Sequence, residues 1–318
     1  MPKFLIIRFS SIGDIVLTTP VIRCLKEQVK DAEVHYCSKP GFKGFLDTNP
    51  YIDKLHLLDG DLNTLVKQLQ QEKFDYVIDL HNNLRTRVIK LRLGVKSYSF
   101  DKLNFKKWLL VQFKKNTLPP THIVDRYLDT LKKFNIVNDN KGLDYFIPEK
   151  DKVERSSLPE AFRNTYVAVA IGAQHFTKRL PNDRLVELCE RIQKPVVLLG
   201  GKEDAANGDL IAEACKAKGL QVFNACGKYN LNQSASLLEQ SEKVFSHDTG
   251  LMHIAAALKK EIWSIWGNTV PEFGMYPYQT KYHILENKGL DCRPCSKIGY
   301  QACPKGHFKC MKELDLKI

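Results

Sequence analysis

The sequence predicts an α/β protein of two doubly wound domains, similar in size, facing each other across a cleft. Three observations predict it. Short apolar runs alternate with helix-like stretches almost throughout, and such alternation gives parallel sheets with helices on both faces. The 318 residues are enough for two ordinary domains. Between Pro148 and Pro159 the text turns polar, EKDKVERSSLPEAFRN, before a new buried strand begins. The expected boundary falls there, giving an N-terminal domain over 1–155 and a C-terminal domain over 156–318.

In the first half FLIIRF is a strand that reaches the polar turn SSIGD, after which LTTPVIRCLKEQV has a helical pattern. EVHYCS follows as a strand, then FKGFLDTN, the short strand KLHLL, the helix LNTLVKQLQQEK and the strand YVIDLH. In the second half YVAVAIGA is a strand and DRLVELCERIQ a helix. PVVLLGG, a helix over 205–218, LQVFNAC, the helix NQSASLLEQS, KVFSHD, MHIAAALKK and EIWSIWG complete the series. The near-continuous apolar character of these strands is that of sheets covered on both faces. The ends of such strands are where ligands bind.

Composition excludes several classes. Hydrophobic content of 43% and charged content of 26% are those of a soluble globular chain. No apolar run approaches the roughly 20 residues that cross a bilayer. FLIIRF is too short for a signal-peptide core and runs straight into the polar turn, so a cytoplasmic protein is expected. No GxGxxG follows a strand, and neither GxxxxGK[ST] nor GxSxG occurs. Hydride transfer, P-loop phosphoryl transfer and the serine-hydrolase elbow therefore lack their signatures.

The net charge is +12, and it is uneven. Between Arg85 and Lys115 ten basic residues, among them Arg87, Lys106, Lys107 and Lys114, face one acid, Asp101. Tyr98, Phe100, Phe105, Trp108, Leu109, Leu110 and Phe113 are interleaved with them. That mixture suits an anionic membrane surface or a polyanion, with a solvated basic face as the plain alternative. A nucleic-acid-binding role is the rival from another class, but no RNA- or DNA-binding module is legible.

Of the nine cysteines, five lie among apolar neighbours and read as buried thiols. The other four, Cys292, Cys295, Cys303 and Cys310, cluster in CRPCSKIGYQACPKGHFKC with His307 nearby. The CxxC start suits a structural metal knuckle, and the later spacings match no common zinc module. Free thiols packing a loop are the alternative.

Three turns can do chemistry. In KVFSHDTGLMHIAAAL a strand ends at His247, Asp248-Thr249-Gly250 turns, and a helix starts. The backbone N–H groups there suit a phosphate, with His253 in the first turn. An ordinary N-cap by Asp248 or Thr249 is the competing reading. In IGAQHFTKRLP the cations Lys178 and Arg179 sit on a loop at a strand end, suited to a leaving pyrophosphate. After VVLLGG, the carboxylates of Glu203 and Asp204 suit ribose hydroxyls. The first turn is less obvious: it has one glycine, Gly13, and a carboxylate, Asp14, where a phosphate cradle would carry several glycines and no negative charge.

RFSSIGDIVLTTP, GA…TKRLP and HDTGLMHIAAAL…IWGNT together resemble glycosyltransferase family 9, the lipopolysaccharide core heptosyltransferases, over most of the chain. The CRPC…CPKGHFKC tail is similar to that of many members. The resemblance implies a GT-B fold of two Rossmann-like domains, with the acceptor on the N-terminal one and an ADP-sugar, ADP-heptose, on the C-terminal one. It implies an inverting reaction with no metal in the chemistry. It makes Asp14, in the Ser11–Gly13 turn, the general base, and Lys178 the phosphate-binding lysine. Thr249 and Gly250 supply phosphate-binding amides, Asp248 touches the donor sugar, and His253 matches a family histidine. Tyr229 is placed at the adenine, and either Glu203 or Asp204 at the ribose. Ala173 and Gln174 stand where some members have threonines, so the threonine contacts to phosphate are not carried over to these positions. The basic segment, with Arg85, Arg87, Lys106 and Lys107, would meet a phosphorylated lipid A-type acceptor at the inner face of the inner membrane. The expectation is a monomer acting there peripherally. The alternative is the same fold with another nucleotide sugar, making a different surface glycan.

Overall fold

The computed structural model describes residues 1–318, which divide into two compact units. One comprises Met1–Lys102 and Thr121–Pro148, the other Leu103–Pro120 and Glu149–Ile318. In chain order the elements are β1 (Lys3–Ile7), α1 (Ile12–Val16), α2 (Thr19–Gln28), β2 (Glu33–Ser38), α3 (Lys43–Leu46), β3 (Lys54–Leu57), α4 (Leu62–Gln71), β4 (Tyr76–Asp79), α5 (Leu84–Leu93) and β5 (Lys96–Ser99). Then come α6 (Asn104–Phe113), α7 (Ile123–Leu128), β6 (Val167–Ala170), α8 (Asn182–Ile192), β7 (Val196–Leu199), α9 (Ala205–Ala217), β8 (Val222–Asn224), α10 (Leu231–Gln240), β9 (Val244–His247), α11 (Gly250–Ala257), β10 (Ile262–Trp266), β11 (Tyr282–Glu286) and α12 (Lys309–Lys312).

Both sheets are wholly parallel. The first has the order β3-β2-β1-β4-β5 and the second β11-β10-β9-β6-β7-β8. Their central strands are apolar because helices cover both faces. Leu5, Ile7, Val77 and Ile89 share a core with Leu65, Val66 and Leu69 of α4. In the second unit Val167, Val169, Leu198, Phe245 and Ile265 pack with Leu185, Leu188 and Cys189 of α8 and with Met311 of α12. Each such side chain contributes about 1.5–3 kcal/mol on burial. Helix starts are fixed by polar caps. Asp61 accepts the Thr64 N–H at 2.9 Å, and Asn83 and Asn230 form capping boxes with Thr86 and Gln233.

Two strands, β5 and β11, were not expected. Both are sheet edges with mostly exposed or half-buried residues, KSYS and YHILE, so they lack the apolar run that marks a buried strand. The basic segment also divides. Residues 103–120, expected with the N-terminal domain, belong to the second unit, where Leu110 and Val111 of α6 pack on Val270 and Phe273.

Arg23 of α2 is 2% exposed and ties the tail of the first unit to its core. It donates to Asp139 at 2.7 and 3.0 Å and to the Gly142 carbonyl at 2.8 Å, and it pairs with Asp144. Its hydrogen bonds hold the Asp139 carboxyl down to about 2, against burial, which pushes the other way. Arg23→Ala withdraws the guanidinium from two carboxylates at once, so urea unfolding should show a loss of ~3–5 kcal/mol. A loss under ~1 kcal/mol, the worth of a surface pair, would mean that water replaces the guanidinium there.

Candidate active site

In an open parallel sheet, ligands bind beyond the carboxyl ends of the strands where the strand order reverses. The first sheet reverses between β1 and β4, and the second between β6 and β9. The turns of Asp14, Lys178 and Asp248 lie at these two places, and that of Glu203 and Asp204 follows the neighbouring strand β7.

Beyond β1, Arg8 is 8% exposed and fully engaged. Its Nε donates to the Ser10 carbonyl at 2.8 Å, and its Nη1 to the Leu80 carbonyl at 2.6 Å and the Tyr127 hydroxyl at 3.1 Å. Its Nη2 lies 2.8 Å from Oδ2 of Asp14. Asp14 is the third residue of α1, and its carboxylate reaches back to Ser11, accepting from the backbone N–H at 3.1 Å and the hydroxyl at 2.9 Å. These contacts converge on Oδ2, leaving Oδ1 for a ligand hydroxyl. Burial works against ionisation, but the Arg8 charge and the Ser11 donors outweigh it, holding Asp14 below the usual carboxylate range. The first-turn role and an acceptor role are thus both open to one side chain. Gly13 is buried in the same turn, and Ser11 is exposed. Beyond β4, His81 stacks edge-on against Phe9 at 5.3 Å. Burial, then repulsion from Arg8 and Lys102, pushes its pKa down to about 4, so it is neutral at pH 7.

In the second unit Lys178 ends a short 3-10 turn after β6, and Asp248 directly follows β9. The Lys178 ammonium lies 2.6 Å from Asp248 Oδ2 and 3.1 Å from the Asp248 carbonyl. Two of its three N–H donors are spent, which leaves one for a ligand. Thr269 donates to the same Oδ2 at 3.1 Å. Thr249 is the N-cap of α11 but its side chain makes no cap bond, and the Asp248 carboxylate is turned to Lys178 and Thr269. The plain N-cap reading therefore fails: no side chain caps the first amides of α11. His247 is a fixture of the fold. Its Nε2 accepts the Leu180 N–H at 2.9 Å, and burial pushes its pKa down to about 4. His253 is buried on α11, 2% exposed.

The loop after β7 separates the two carboxylates that the sequence leaves equivalent. Asp204 is buried, accepts the Gly201 N–H at 2.9 Å and pairs with Arg179 at 3.4 Å. It fills a niche in which a Cβ on Gly172 would lie 2.1 Å from its carboxylate. Burial raises its pKa, against the Gly201 and Arg179 contacts. Glu203 is exposed. Arg179 also donates to the Ala173 carbonyl at 2.7 Å, so it braces the loop. Tyr229 is half-buried in the turn before α10.

Arg85 and Arg87 are exposed on α5, and Lys106 on α6. Lys107 lies over the Phe273 ring at 5.7 Å, and Lys114 donates to the carbonyls of Cys292 and Pro294 at 3.2 and 2.8 Å. All nine cysteines are free thiols. Cys295 donates to the Cys292 carbonyl at 3.1 Å, and His307 Nε2 is 3.9 Å from the Cys292 sulfur. Burial raises Cys310 to about 12 and Cys295 to about 11, so both are neutral near pH 7. No three ligand atoms of Cys292, Cys295, Cys303 and Cys310 come within 4.8 Å of one another; His35, His56 and Glu72 do. There, however, Glu72 is held by Lys3 and Lys54, and the two imidazoles share a 2.9 Å hydrogen bond.

Two doubly wound parallel units of this kind define the GT-B fold, a fold of glycosyltransferases. The sequence profile of glycosyltransferase family 9 (heptosyltransferase) matches residues 62–304, and the chain belongs to this family; it is a glycosyltransferase. One relative, the lipopolysaccharide heptosyltransferase 1 of Campylobacter coli, is 25% identical over 288 residues, 84% of each chain. The solved ADP-heptose LPS heptosyltransferase II of E. coli matches with a TM-score of 0.71, 19% identity and 98% of both chains. An E. coli heptosyltransferase solved with ADP-2-deoxy-2-fluoro heptose matches with a TM-score of 0.66 and 19% identity, over 88% of this chain and 92% of that one.

Arg8 was not singled out from the sequence, although a charge inside the apolar run FLIIRF was its signal. Its effect on Asp14 is measurable by NMR titration of the Asp14 carboxyl. A depressed pKa contributes stability above the ordinary carboxylate value of about 3.9, lost as pH falls through the folded value. In Arg8→Gln the Asp14 midpoint should move to higher pH, and that stability should be lost at correspondingly higher pH. An unmoved midpoint would assign the depression to Ser11 alone.

Proposed function

We propose that this chain transfers a heptose from ADP-heptose to a lipopolysaccharide core or lipid A-type acceptor, with inversion at the anomeric carbon. The observation that carries the reading is the Lys178–Asp248–Thr249–Gly250 constellation at the switch point of the second sheet. Relatives named as lipopolysaccharide heptosyltransferases, one solved with an ADP-heptose analogue, support the choice of sugar, nucleotide and acceptor class.

In this reading Oδ1 of Asp14 accepts the proton of the acceptor hydroxyl while its oxygen bonds to the anomeric carbon. The bond from that carbon to the β-phosphate oxygen breaks, and ADP leaves carrying the electron pair. One displacement inverts the centre. A carboxylate held ionised by Arg8 is ready at pH 7 but is a weak base, so proton transfer accompanies C–O bond formation instead of preceding it. Charge growing on the leaving diphosphate meets Lys178 and the helix-start amides, fixed in place before the reaction. Asp248 addresses the donor sugar, Tyr229 the adenine and Glu203 the ribose. The chemistry asks for no metal.

We further propose that α6 is the membrane contact. Phe105, Trp108 and Phe113 are 69%, 45% and 65% exposed yet stack on one another, with ring centroids 5.9 and 5.3 Å apart. The opposite face of α6 is packed through Leu110 and Val111. An outward aromatic face flanked by the exposed Lys106 and Lys115 suits an anionic bilayer. No helix is long and apolar enough to span one.

A thermal-shift panel with ADP, UDP, GDP and CMP tests the donor. ADP at about 100 times its Kd should stabilise the protein by about 2.7 kcal/mol. Lys178→Ala should weaken ADP binding about 10–100-fold. Asp14→Asn should bind ADP normally and lose about 10²–10⁴-fold in turnover. A response to UDP or GDP alone would replace the donor, and near-normal turnover of Asp14→Asn would remove Asp14 from the mechanism. For the membrane contact, combining Trp108→Ser, Lys106→Gln and Lys115→Gln should reduce sedimentation with anionic liposomes. Unchanged sedimentation at moderate salt counts against α6.

A further inference from the structure

We infer that the cysteine-rich segment Asp291–Met311 is a brace that sets the geometry of the Lys178–Asp248 pair, with Arg293 as its central positioning residue. The inference rests on the donor-site reading above and adds residues to which that reading gives no role.

Arg293 is 9% exposed and donates only to groups around the end of β10 and the start of β11's following loop. Its Nε meets the Gly267 carbonyl at 2.6 Å, and its Nη2 the Thr269 carbonyl at 3.0 Å. Nη2 also meets the Trp266 carbonyl at 3.4 Å, and bonds to the Asn287 carbonyl at 2.6 Å and to Glu286 at 3.1 Å anchor the guanidinium to the end of β11. Next to it, the Cys295 N–H donates to the Asn268 carbonyl at 3.1 Å. Gly267, Asn268 and Thr269 are thus held in succession by the brace. Thr269, itself 1% exposed, donates to Asp248 Oδ2, the oxygen that carries Lys178.

The other wall of the pair is held by the same segment. The Thr177 N–H donates to the Tyr300 carbonyl at 3.1 Å, and the Tyr300 N–H donates back to the Thr177 hydroxyl at 2.8 Å. Phe308 stacks on Phe176 at 5.1 Å. Lys178 is the next residue along, so its backbone is fixed from the tail. The two walls meet at Gly267. A Cβ there would lie 2.6 Å from the Met311 methyl and 2.6 Å from the Thr177 carbonyl, which leaves room for glycine alone.

The consequence is mechanical. Lys178 and Asp248 belong to loops far apart in sequence, and their 2.6 Å separation is held from both sides by one strap. Releasing Thr269 frees Asp248 to swing, and Lys178 follows its partner. A displacement of about 1 Å in such a group is enough to cost on the order of 10²-fold in rate.

The test uses full-length protein, ADP as the calorimetric probe, and steady-state kinetics with the nucleotide sugar. Thr269→Val removes one hydroxyl and keeps the shape. It should leave the unfolding midpoint near wild type, weaken ADP binding and raise the donor KM with the acceptor KM unchanged. Thr269→Ser should restore both. Arg293→Gln should show the same donor-specific defect. A merely structural role would lower the active fraction, and with it kcat, while donor KM and ADP Kd stayed as in wild type. Wild-type donor KM and ADP Kd in Thr269→Val overturn the brace, even if Arg293→Gln fails to fold. If wild-type protein does not bind ADP, or Lys178→Ala binds it normally, the donor-site reading fails instead.

Discussion

Parallel strand pairing is the constraint from which the chemistry of this chain follows. When every strand in a sheet runs the same way, all carboxyl ends arrive at one edge, and each connection must return across a face. Where strand order reverses, connections on opposite faces part and leave a crevice. In the first unit that crevice lies at the ends of β1 and β4, and it receives Arg8, Asp14 and His81. In the second it lies at the ends of β6 and β9, and it receives Lys178 and Asp248. Neither group is near in sequence to its partners across the sheet; the register Ala170 to Ser246 brings the second pair together.

Two ion pairs occupy these crevices, and physically they do different work. Arg8 is spent on fixed carbonyls and a phenol, so its charge cannot turn away from Asp14. The result is a carboxylate that stays ionised yet keeps one oxygen open. Lys178 is bound to Asp248 alone and retains a donor, and the Asp248 carboxylate is served by Thr269 as well. Asp204 and His247 resemble site residues by type and position, but their hydrogen bonds are spent on the fold. Each is buried and bonded to the backbone of its own unit, Asp204 by the Gly201 N–H and His247 by the Leu180 N–H.

The legible part of the fold was the part governed by local pattern. Every central strand is a short apolar run, and most helices carry a buried stripe, so β1 to β4 and β6 to β10 stand where the text placed them. The edges β5 and β11 did not show, because an edge strand is half solvated and its sequence need not be apolar. Helix α6 misled in another way. Its composition marked it as basic and aromatic, but which side of it packs, and on which unit, depends on Val270 and Phe273 more than 150 residues away.

By itself the sequence determined the class of fold and the resemblance of its turns to a transferase family, because periodicity and motif spacing are local properties of a chain. Tertiary structure decided the rest. It buried Asp204 and left Glu203 exposed, spent Arg179 on its own loop, and clamped Asp14 with Arg8. It joined the CRPC tail, legible only as cysteines, to the ends of β10 and β11 through the arginine between them. These outcomes depend on which backbone carbonyls and charges stand within about 3 Å of a side chain, and contacts between residues separated by tens to hundreds of positions have no local signature.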